Sequence, residues 1–390
     1  MRTIYLDYNA TTPLDPAVRE AMLPALEADW GNPSSVHHLG QRARALLDDA
    51  RDRVAATLKC KPSEIIFTSG GTESTNLAIL GMARSLRAQG RHIITSQVEH
   101  PAVLQPCEYL ANNEDFEVSF LPPDKYGFVS AESVREALRP DTILVSIMAA
   151  NNEVGTLQPV AEIGELCSEN GVLFHTDAVQ WFGKFPLSSI SDFNADLVSL
   201  CAHKFHGPKG AGLLFAKSPL LPQPILHGGA HENERRAGTE NLAAILGLAE
   251  AVERFVPHPP FLNNSISPLA LRLLAAVNSI PIAHLVGPPA SSARLFNTVS
   301  FFVEGSDSIA LLSGLDLEGI CASSGSACAS GSVNPSHVLS AMGVSVADAN
   351  ALVRLSLGRD SSAEEISLVE VALPLVIERC RVAKPPVNCL

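Results

Sequence analysis

Near the middle of the chain stands the stretch Val198-Ser-Leu-Cys-Ala-His-Lys204-Phe-His-Gly-Pro-Lys-Gly210. Its apolar beginning predicts a β-strand, and the pair Gly207-Pro208 ends that strand in a loop. Lys204 therefore stands at the mouth of the loop, where its motion is restricted. A lysine carries the primary amine that forms a Schiff base with an aldehyde, and partial burial lowers its pKa into a useful range. The ordinary alternative for such a lysine is a solvated loop charge.

A carboxylate follows another short apolar strand, in Phe174-His-Thr-Asp177-Ala-Val-Gln180. This position suits pyridoxal phosphate, because that cofactor is an effective electron sink while its pyridine nitrogen is protonated. Asp177 can keep the proton in place. The alternative is an aspartate that caps the next turn.

A third segment combines a strand, a glycine turn and a helix. Glu64-Ile-Ile-Phe-Thr68 leads into Ser69-Gly-Gly-Thr-Glu-Ser-Thr-Asn76, and an apolar helix is predicted over residues 77–86. The backbone N–H groups around Gly71, the Thr72 hydroxyl and the positive end of the helix dipole would face an anion. Together with the lysine and the aspartate, this cradle matches what a phosphate-bearing aldehyde cofactor requires.

From residue 64 to residue 200, short β-rich runs alternate with helical patterns, which predicts an α/β fold with a mainly parallel sheet. Active sites of such sheets lie beyond the carboxyl ends of the strands. Polar residues that follow the predicted strand ends should converge there, namely Thr72, His100, Asn152, Asp177 and Lys204.

The chain of 390 residues is long enough for two domains. The segment 257–268, rich in proline and asparagine, is the best linker candidate, and the runs after it predict a smaller α+β domain. We predict a large domain of residues 14–260. Residues 1–13 together with residues 261–390 would form the small domain.

Composition narrows the classes of function. The formal net charge of −13 argues against a surface for nucleic acid or anionic membranes. The N-terminus has no apolar signal region, and no run approaches the roughly 18 apolar residues of a spanning helix, so we expect a cytoplasmic protein without a membrane segment. The eight cysteines show no Cys-x-x-Cys pair or zinc-type spacing, which argues against a disulfide framework.

Several motifs occur in an order that resembles the cysteine desulfurases of the NifS/IscS group. The similarity extends from Tyr5-Leu-Asp-Tyr-Asn-Ala-Thr-Thr12 to Arg354-Leu-Ser-Leu-Gly-Arg359. It implies fold type I of the pyridoxal-phosphate enzymes, class V aminotransferase-like, with a mostly parallel seven-stranded sheet. The motifs between these ends are Gly31-Asn-Pro-Ser-Ser-Val-His37, Ser69-Gly-Gly-Thr-Glu-Ser74, Asn151-Asn-Glu-Val-Gly155, His175-Thr-Asp-Ala-Val-Gln180, Ala202-His-Lys-Phe-His-Gly-Pro-Lys-Gly210, Arg235-Arg-Ala-Gly-Thr-Glu-Asn241 and Ser323-Ser-Gly-Ser-Ala-Cys-Ala-Ser330.

The resemblance implies roles around pyridoxal 5′-phosphate. Lys204 would hold the cofactor as a Schiff base and move the substrate's α-proton, and Asp177 would keep the ring nitrogen protonated. His100 would stack on the ring and shuttle protons. Gln180 would bond the phenolic oxygen, and Asn152 would bond near that oxygen or the substrate carboxylate. A turn or cap role is the alternative for both amides.

Phosphate binding is implied for Gly71, Thr72 and His203. Relatives commonly have a phosphate-binding serine where this chain has Cys201, and a thiol is a weak donor, so the other groups should carry more of the binding. Thr239 resembles a residue that reaches the phosphate from the second subunit, which implies a homodimer with composite sites. Its alternative role is a helix N-cap.

Arg354 would grip the α-carboxylate of L-cysteine, because a guanidinium binds a carboxylate bidentately. A surface salt bridge is the alternative. The apolar residues around it, Leu352, Val353, Leu355 and Leu357, predict burial and favour the clamp.

Cys328 lies in a run of small residues, 323–332, which predicts a mobile loop. The resemblance makes it the catalytic cysteine, whose thiolate takes the substrate sulfur as a persulfide and leaves L-alanine. We expect an iron–sulfur cluster scaffold or another sulfur-acceptor protein as its partner. No metal is required for catalysis, although Cys328 could act as a transient iron–sulfur ligand.

Three other functions stay open at this point. An aminotransferase would use Lys204, Asp177 and Arg354 but not Cys328. A selenocysteine lyase would share the whole site. A non-catalytic sulfur-trafficking partner would need no cofactor, which the presence of Lys204 argues against.

Overall fold

Strands form where β-branched and other apolar residues are concentrated, because such side chains pack well on a buried pleated surface. The computed structural model describes residues 3–262, 266–325 and 335–380. Its strands are β1 Ile4–Tyr5, β2 Ile65–Thr68, β3 His92–Ser96, β4 Glu117–Leu121, β5 Thr142–Ser146, β6 Leu173–Asp177, β7 Leu197–Cys201, β8 Gly212–Ala216, β9 Ala283–Val286, β10 Thr298–Val303, β11 Ile320–Cys321 and β12 Leu352–Ser356.

Seven of these strands form one sheet in the order β2-β8-β7-β6-β5-β3-β4. The pairs from β7 to β4 are parallel, whereas β8 runs antiparallel to both of its neighbours, β2 and β7. The predicted α/β class with a mostly parallel seven-stranded sheet is therefore confirmed. Because the parallel strands share one direction, their carboxyl ends meet at one edge.

Helices connect most of these strands. For the first helix, α1, the sequence predicts a start at Pro16, because proline is favoured in the first turn of a helix. The helix does begin at Pro16, and the Asp15 carboxylate accepts from Ala17 N at 2.9 Å. The helices are α1 Pro16–Glu27, α2 His38–Leu58, α3 Gly71–Asn76, α4 Met82–Leu86, α5 Pro101–Asn113, α6 Ala131–Ala137, α7 Val160–Glu169, α8 Leu242–Phe255, α9 Ile266–Asn278, α10 Ser308–Leu317, α11 His337–Ala341, α12 Val346–Ala349 and α13 Ala363–Arg379.

One predicted helix start is wrong. Serine is a favoured N-cap residue, so the sequence predicts Ser34 or Ser35 as the cap of α2. The cap is instead His37, whose Nδ1 accepts from Gly40 N. The two serines are held in a turn, because their backbone N–H groups donate to the side chain and the carbonyl of Asn32. The helix can begin only after that turn.

The helix after the glycine turn also differs from the expected range of 77–86. It begins at Gly71, continues through a π-helical segment, Leu77–Gly81, and runs on into α4. Gly71 and Thr72 are therefore its first two residues rather than part of a preceding turn. Their N–H groups belong to the first turn of a helix, where backbone N–H groups have no acceptor within the helix.

The C-terminal part contains a second sheet, in the order β12-β10-β9, with antiparallel neighbours. The N-terminal strand β1 pairs with β11 in parallel, so two segments more than 300 residues apart in the chain meet. Ile4, Leu6 and Tyr8 share one hydrophobic cluster with residues between 261 and 377. The proposed domain boundary between residues 260 and 261 stays a prediction.

In the part of the chain that the structure describes, no helix combines the length and the apolar character needed to cross a bilayer.

Candidate active site

A cleft lies at the carboxyl ends of the parallel strands. It collects side chains that follow β2, β3, β5, β6 and β7, together with the N-terminal segment and β12. Ten residues predicted from the sequence line it, namely Gly71, Thr72, His100, Asn152, Asp177, Gln180, Cys201, His203, Lys204 and Arg354. Thr239 does not line it, and Cys328 lies outside the described residues.

Lys204 ends a short 3-10 turn directly after β7. Its Nζ donates to the backbone carbonyls of Asn9, at 2.8 Å, and Ala10, at 2.7 Å. Gly207 permits the chain to fold back onto this turn, because a Cβ there would lie 2.5 Å from Ala202 Cβ. The amine is thus fixed at the cleft by its own loop and by the N-terminal segment.

Asp177 is the last residue of β6 and is buried. Its Oδ1 accepts from Val179 N at 3.0 Å, and among the described residues nothing donates to Oδ2. Burial raises the pKa of Asp177 to about 6, and the Val179 N–H and the Lys204 charge oppose that rise. A buried carboxylate with one oxygen available can accept a hydrogen bond from a protonated ring nitrogen.

His100 caps the helix α5, because its Nδ1 accepts from Ala102 N at 3.1 Å. That bond places the proton of the neutral imidazole on Nε2. Burial lowers the pKa of His100 to about 4, and electrostatic interactions with Lys204 and His337 add to that effect. At neutral pH the ring therefore lines the cleft as an uncharged donor.

The groups expected to bind phosphate gather at the start of α3. Gly71 packs tightly here, since a Cβ on it would lie 2.8 Å from Val179 Cγ2. Burial raises the pKa of Cys201 to about 11, so the thiol is protonated, and the N–H groups of Gly71 and Lys204 point to its sulfur. His203 Nδ1 lies 3.2 Å from Thr11 Oγ1.

Arg354 lies in the middle of β12 and is 1% exposed, so the predicted burial is confirmed and the surface salt bridge is excluded. Its guanidinium donates to the carbonyls of Asn152, at 2.9 Å, and Gly325, at 2.8 Å, and to Asp7 Oδ1 at 2.9 Å. Its buried Nε has no partner among the described residues. The site therefore retains an unused donor on a cation, which is what a substrate carboxylate requires.

Two site residues were missed by the sequence analysis. Asn9 lines the cleft, and its backbone carbonyl accepts from both Lys204 and Gln180. Lys184 is fully buried and donates to the side chains of Asn9 and Gln180. The spacing of four residues between Gln180 and Lys184 was the available signal, because it matches one helical turn.

Thr239 is exposed and stands away from the cleft of its own chain. Its alternative role as the cap of α8 is wrong, because the cap is Asn241, whose Oδ1 accepts from Ala244 N at 3.2 Å. The hydroxyl of Thr239 is thus not engaged in capping.

The described residues contain no group of three or more His, Cys, Asp or Glu side chains placed to hold a metal ion. The described cysteines, namely Cys60, Cys107, Cys167, Cys201, Cys321 and Cys380, are free thiols.

Comparison with known proteins places the chain in a family. The Aminotransferase class-V family matches residues 4–369. A cysteine desulfurase IscS of Dictyoglomus turgidum is 44% identical over 388 residues, which are 98% of this chain and 97% of the relative. A cysteine desulfurase NifS of Azotobacter vinelandii is 42% identical over 387 residues, which are 99% of this chain and 95% of the relative.

A solved structure agrees with these matches. A NifS-like protein has a TM-score of 0.87 and 36% identity, and the alignment covers 97% of this chain and 99% of that one. The chain belongs to the aminotransferase class-V family and, within it, to the cysteine desulfurases of the IscS/NifS type.

Proposed function

We propose that this protein converts L-cysteine to L-alanine and retains the sulfur as a persulfide on Cys328. The observation that carries the proposal is the arrangement of one cleft, in which an amine, a buried carboxylate and a buried guanidinium face the same space. The solved structure named "SspA in complex with cysteine" supports the substrate, because it has 36% identity and a TM-score of 0.79, and the alignment covers 92% of this chain and all of that one.

The residues of the cleft fit pyridoxal 5′-phosphate. When bound, this cofactor supplies an aldehyde that condenses with amines and a pyridinium ring that withdraws electrons. Lys204 would provide the amine for the aldehyde, and the available oxygen of Asp177 would accept from the ring nitrogen. Gly71, Thr72 and His203 would hold the phosphate at the start of α3.

Arg354 would bind the substrate carboxylate through its unused Nε–H, with the Asn152 side chain beside it. Asp7 forms an ion pair with Nη2 and so holds the guanidinium in place. A bound substrate carboxylate would accept from the remaining Nε–H of this preorganised cation. The amine of Lys204 lines the cleft and is held there by the carbonyls of Asn9 and Ala10. It would carry the α-proton.

The sulfur step balances without an external oxidant. L-cysteine and the Cys328 thiol give L-alanine and the Cys328 persulfide, since the thiolate attacks the substrate sulfur and the electrons of the broken C–S bond pass to carbon, which is then protonated. His100 would shuttle protons as an uncharged donor. The persulfide would then be passed to an acceptor protein, for which we propose an iron–sulfur cluster scaffold.

The test is incubation with L-cysteine and a thiol reductant, with sulfide and alanine both measured. We expect the two products in equal amounts. Transamination without sulfide would instead indicate an aminotransferase, and a much higher rate on selenocysteine than on cysteine would indicate a lyase for that substrate. Purified protein without yellow absorbance would favour a non-catalytic sulfur-trafficking role.

The free thiols of the described residues support a reducing compartment, so we propose a cytoplasmic location.

Replacing Cys201→Ser should tighten cofactor binding. A hydroxyl is a stronger donor to phosphate than a thiol, and hydrogen bonds to charged groups contribute about 1.5–3 kcal/mol, so the dissociation constant should fall roughly tenfold. Reconstitution of cofactor-free protein, followed by absorbance, measures this constant. Cys167→Ser, in α7 and away from the cleft, is the control. Unchanged affinity in Cys201→Ser would show that residue 201 does not contact the phosphate.

We propose a homodimer in which Thr239 of each subunit contributes to the other subunit's phosphate site. Thr239→Ala should weaken cofactor binding roughly threefold to tenfold, because one hydroxyl donor is lost. Its molecular mass by sedimentation equilibrium should remain that of two chains. A single-chain mass for the unaltered protein, or an unchanged cofactor affinity in the variant, would contradict the composite site.

A further inference from the structure

Lys184 is a lysine without solvent exposure and without a carboxylate partner in the described part of the chain. Burying an unpaired ammonium is costly, so a lysine in this position needs a reason. Burial lowers the pKa of Lys184 well below its usual range, and the positive charges at Lys204 and Arg354 add to that effect. Among the described residues, the side chains that accept hydrogen bonds from the Lys184 amine both line the cleft.

Those partners are Gln180 and Asn9. Lys184 Nζ donates to Asn9 Oδ1 at 2.9 Å and to Gln180 Oε1. Gln180 Nε2 in turn donates to the backbone carbonyl of Asn9 at 2.9 Å, and the same carbonyl accepts from Lys204 Nζ at 2.8 Å. Lys184 is thus connected to Lys204 through Gln180 and Asn9.

This arrangement permits one orientation of the Gln180 amide. The Asn9 carbonyl can only accept, so it requires the Nε2 side, and Oε1 then accepts from Lys184 Nζ. Gln180 lines the cleft, and its Nε2 carries a second hydrogen beyond the one used on Asn9. The amide therefore presents an N–H, and not a carbonyl, toward a bound cofactor.

We propose that Lys184 is a positioning residue, which fixes the Gln180 amide with its N–H side toward the cofactor's phenolic oxygen and holds Asn9 against Lys204. The inference rests on the proposed function, because it assumes that pyridoxal phosphate occupies the cleft. It adds a residue that does not touch the cofactor or the substrate but acts on both through its neighbours.

The expected consequence is electrostatic. An N–H donor at the phenolic oxygen, and any positive charge at Lys184, both disfavour a proton on the nitrogen that joins Lys204 to the cofactor. The titratable groups that act on Lys184 are Lys204 and Cys201 from the β7 side and Arg354 from β12. Replacement of Lys184 leaves these three residues in the protein, so a shift in the titration midpoint would report on the loss of Lys184.

The experiment is a pH titration of the absorbance of the cofactor-loaded protein. In Lys184→Met the pH at the midpoint should rise by about one unit, which is a tenfold change in proton affinity. Methionine fits a buried apolar site, so the thermal stability of the cofactor-free protein should not fall. Lys217→Met, an exposed lysine beside Asp196, is the control and should titrate like the unaltered protein.

A second variant keeps the inference testable if Lys184→Met does not fold. Gln180→Leu removes the amide itself and should raise the midpoint in the same direction. Where both single variants fold, the double variant should shift no further than the larger single shift, because the two residues act as one unit.

A midpoint that is unchanged in Lys184→Met, or in Gln180→Leu, would overturn the inference and leave the proposed function intact. Lower thermal stability with an unshifted midpoint would also overturn it, since Lys184 would then only fill space. An unaltered protein that takes up no pyridoxal phosphate would instead defeat the proposed function, and this inference with it.

Discussion

Lys204→Ala should yield a folded protein without the yellow absorbance of the lysine-bound cofactor, and its turnover of L-cysteine should fall by about four orders of magnitude. The loss combines two roles, because the same amine would anchor the cofactor and carry the α-proton. It should not come from misfolding, since the hydrogen bonds of Lys204 to the N-terminal segment go to backbone carbonyls. Absorbance of the purified protein and alanine production measure the two losses separately.

Lys209→Ala is the matched control for this variant. Lys209 lies in the same stretch, five residues later, and is exposed. It should keep both the absorbance and the turnover. If Lys204→Ala retained more than about a hundredth of the activity, Lys204 could not be the proton carrier, because general acid–base catalysis alone contributes about a hundredfold or more.

Cys328→Ser should separate cofactor chemistry from sulfur transfer. The variant should remain yellow and its absorbance should still respond to L-cysteine, yet sulfide production should fall by about three orders of magnitude or more, because a hydroxyl is a far weaker nucleophile than a thiolate. Mass spectrometry after exposure to L-cysteine should find an additional sulfur atom on residue 328 of the unaltered protein. It should find none on the variant.

Cys321→Ser is the control for Cys328→Ser. Cys321 ends β11, seven residues before Cys328, and partial burial raises the pKa of its thiol, so it is a poor nucleophile. Its replacement should leave sulfide production unchanged. Persulfide on any other cysteine of the Cys328→Ser variant, together with normal turnover, would remove Cys328 from the proposed mechanism.

Most of the cleft could be predicted from the sequence, because parallel strands bring their carboxyl ends to one edge. Asp177, Lys204 and His100 each follow or end a strand that the apolar runs identify, so their convergence follows from the topology alone. The burial of Arg354 was also predictable, since apolar residues surround it in β12. These predictions need only the apolar runs that indicate strands and the rule that active sites lie at the carboxyl ends of parallel strands.

The rest of the site depends on contacts between distant segments, which local patterns do not contain. Asn9 enters the cleft only because β1 pairs with β11, more than 300 residues later in the chain. Lys184 looks like a surface lysine in Phe182-Gly-Lys-Phe185 until its neighbours on other elements are known. The start of α2 was misjudged for a related reason, since Asn32 engages both serines in a turn.

The pairing of β1 with β11, two segments that are far apart in the sequence, affects the order of events during synthesis on the ribosome. Asn9 is held by Asn297, Thr298 and Ser356, at 3.2, 2.9 and 3.0 Å, so the segment around Asn9 cannot reach its final position before residue 356 has been translated. Lys204 leaves the exit tunnel long before those residues do, and it lacks the carbonyls of Asn9 and Ala10 in their final position. The cleft around Lys204 therefore takes its final form only after residue 356 has been synthesised.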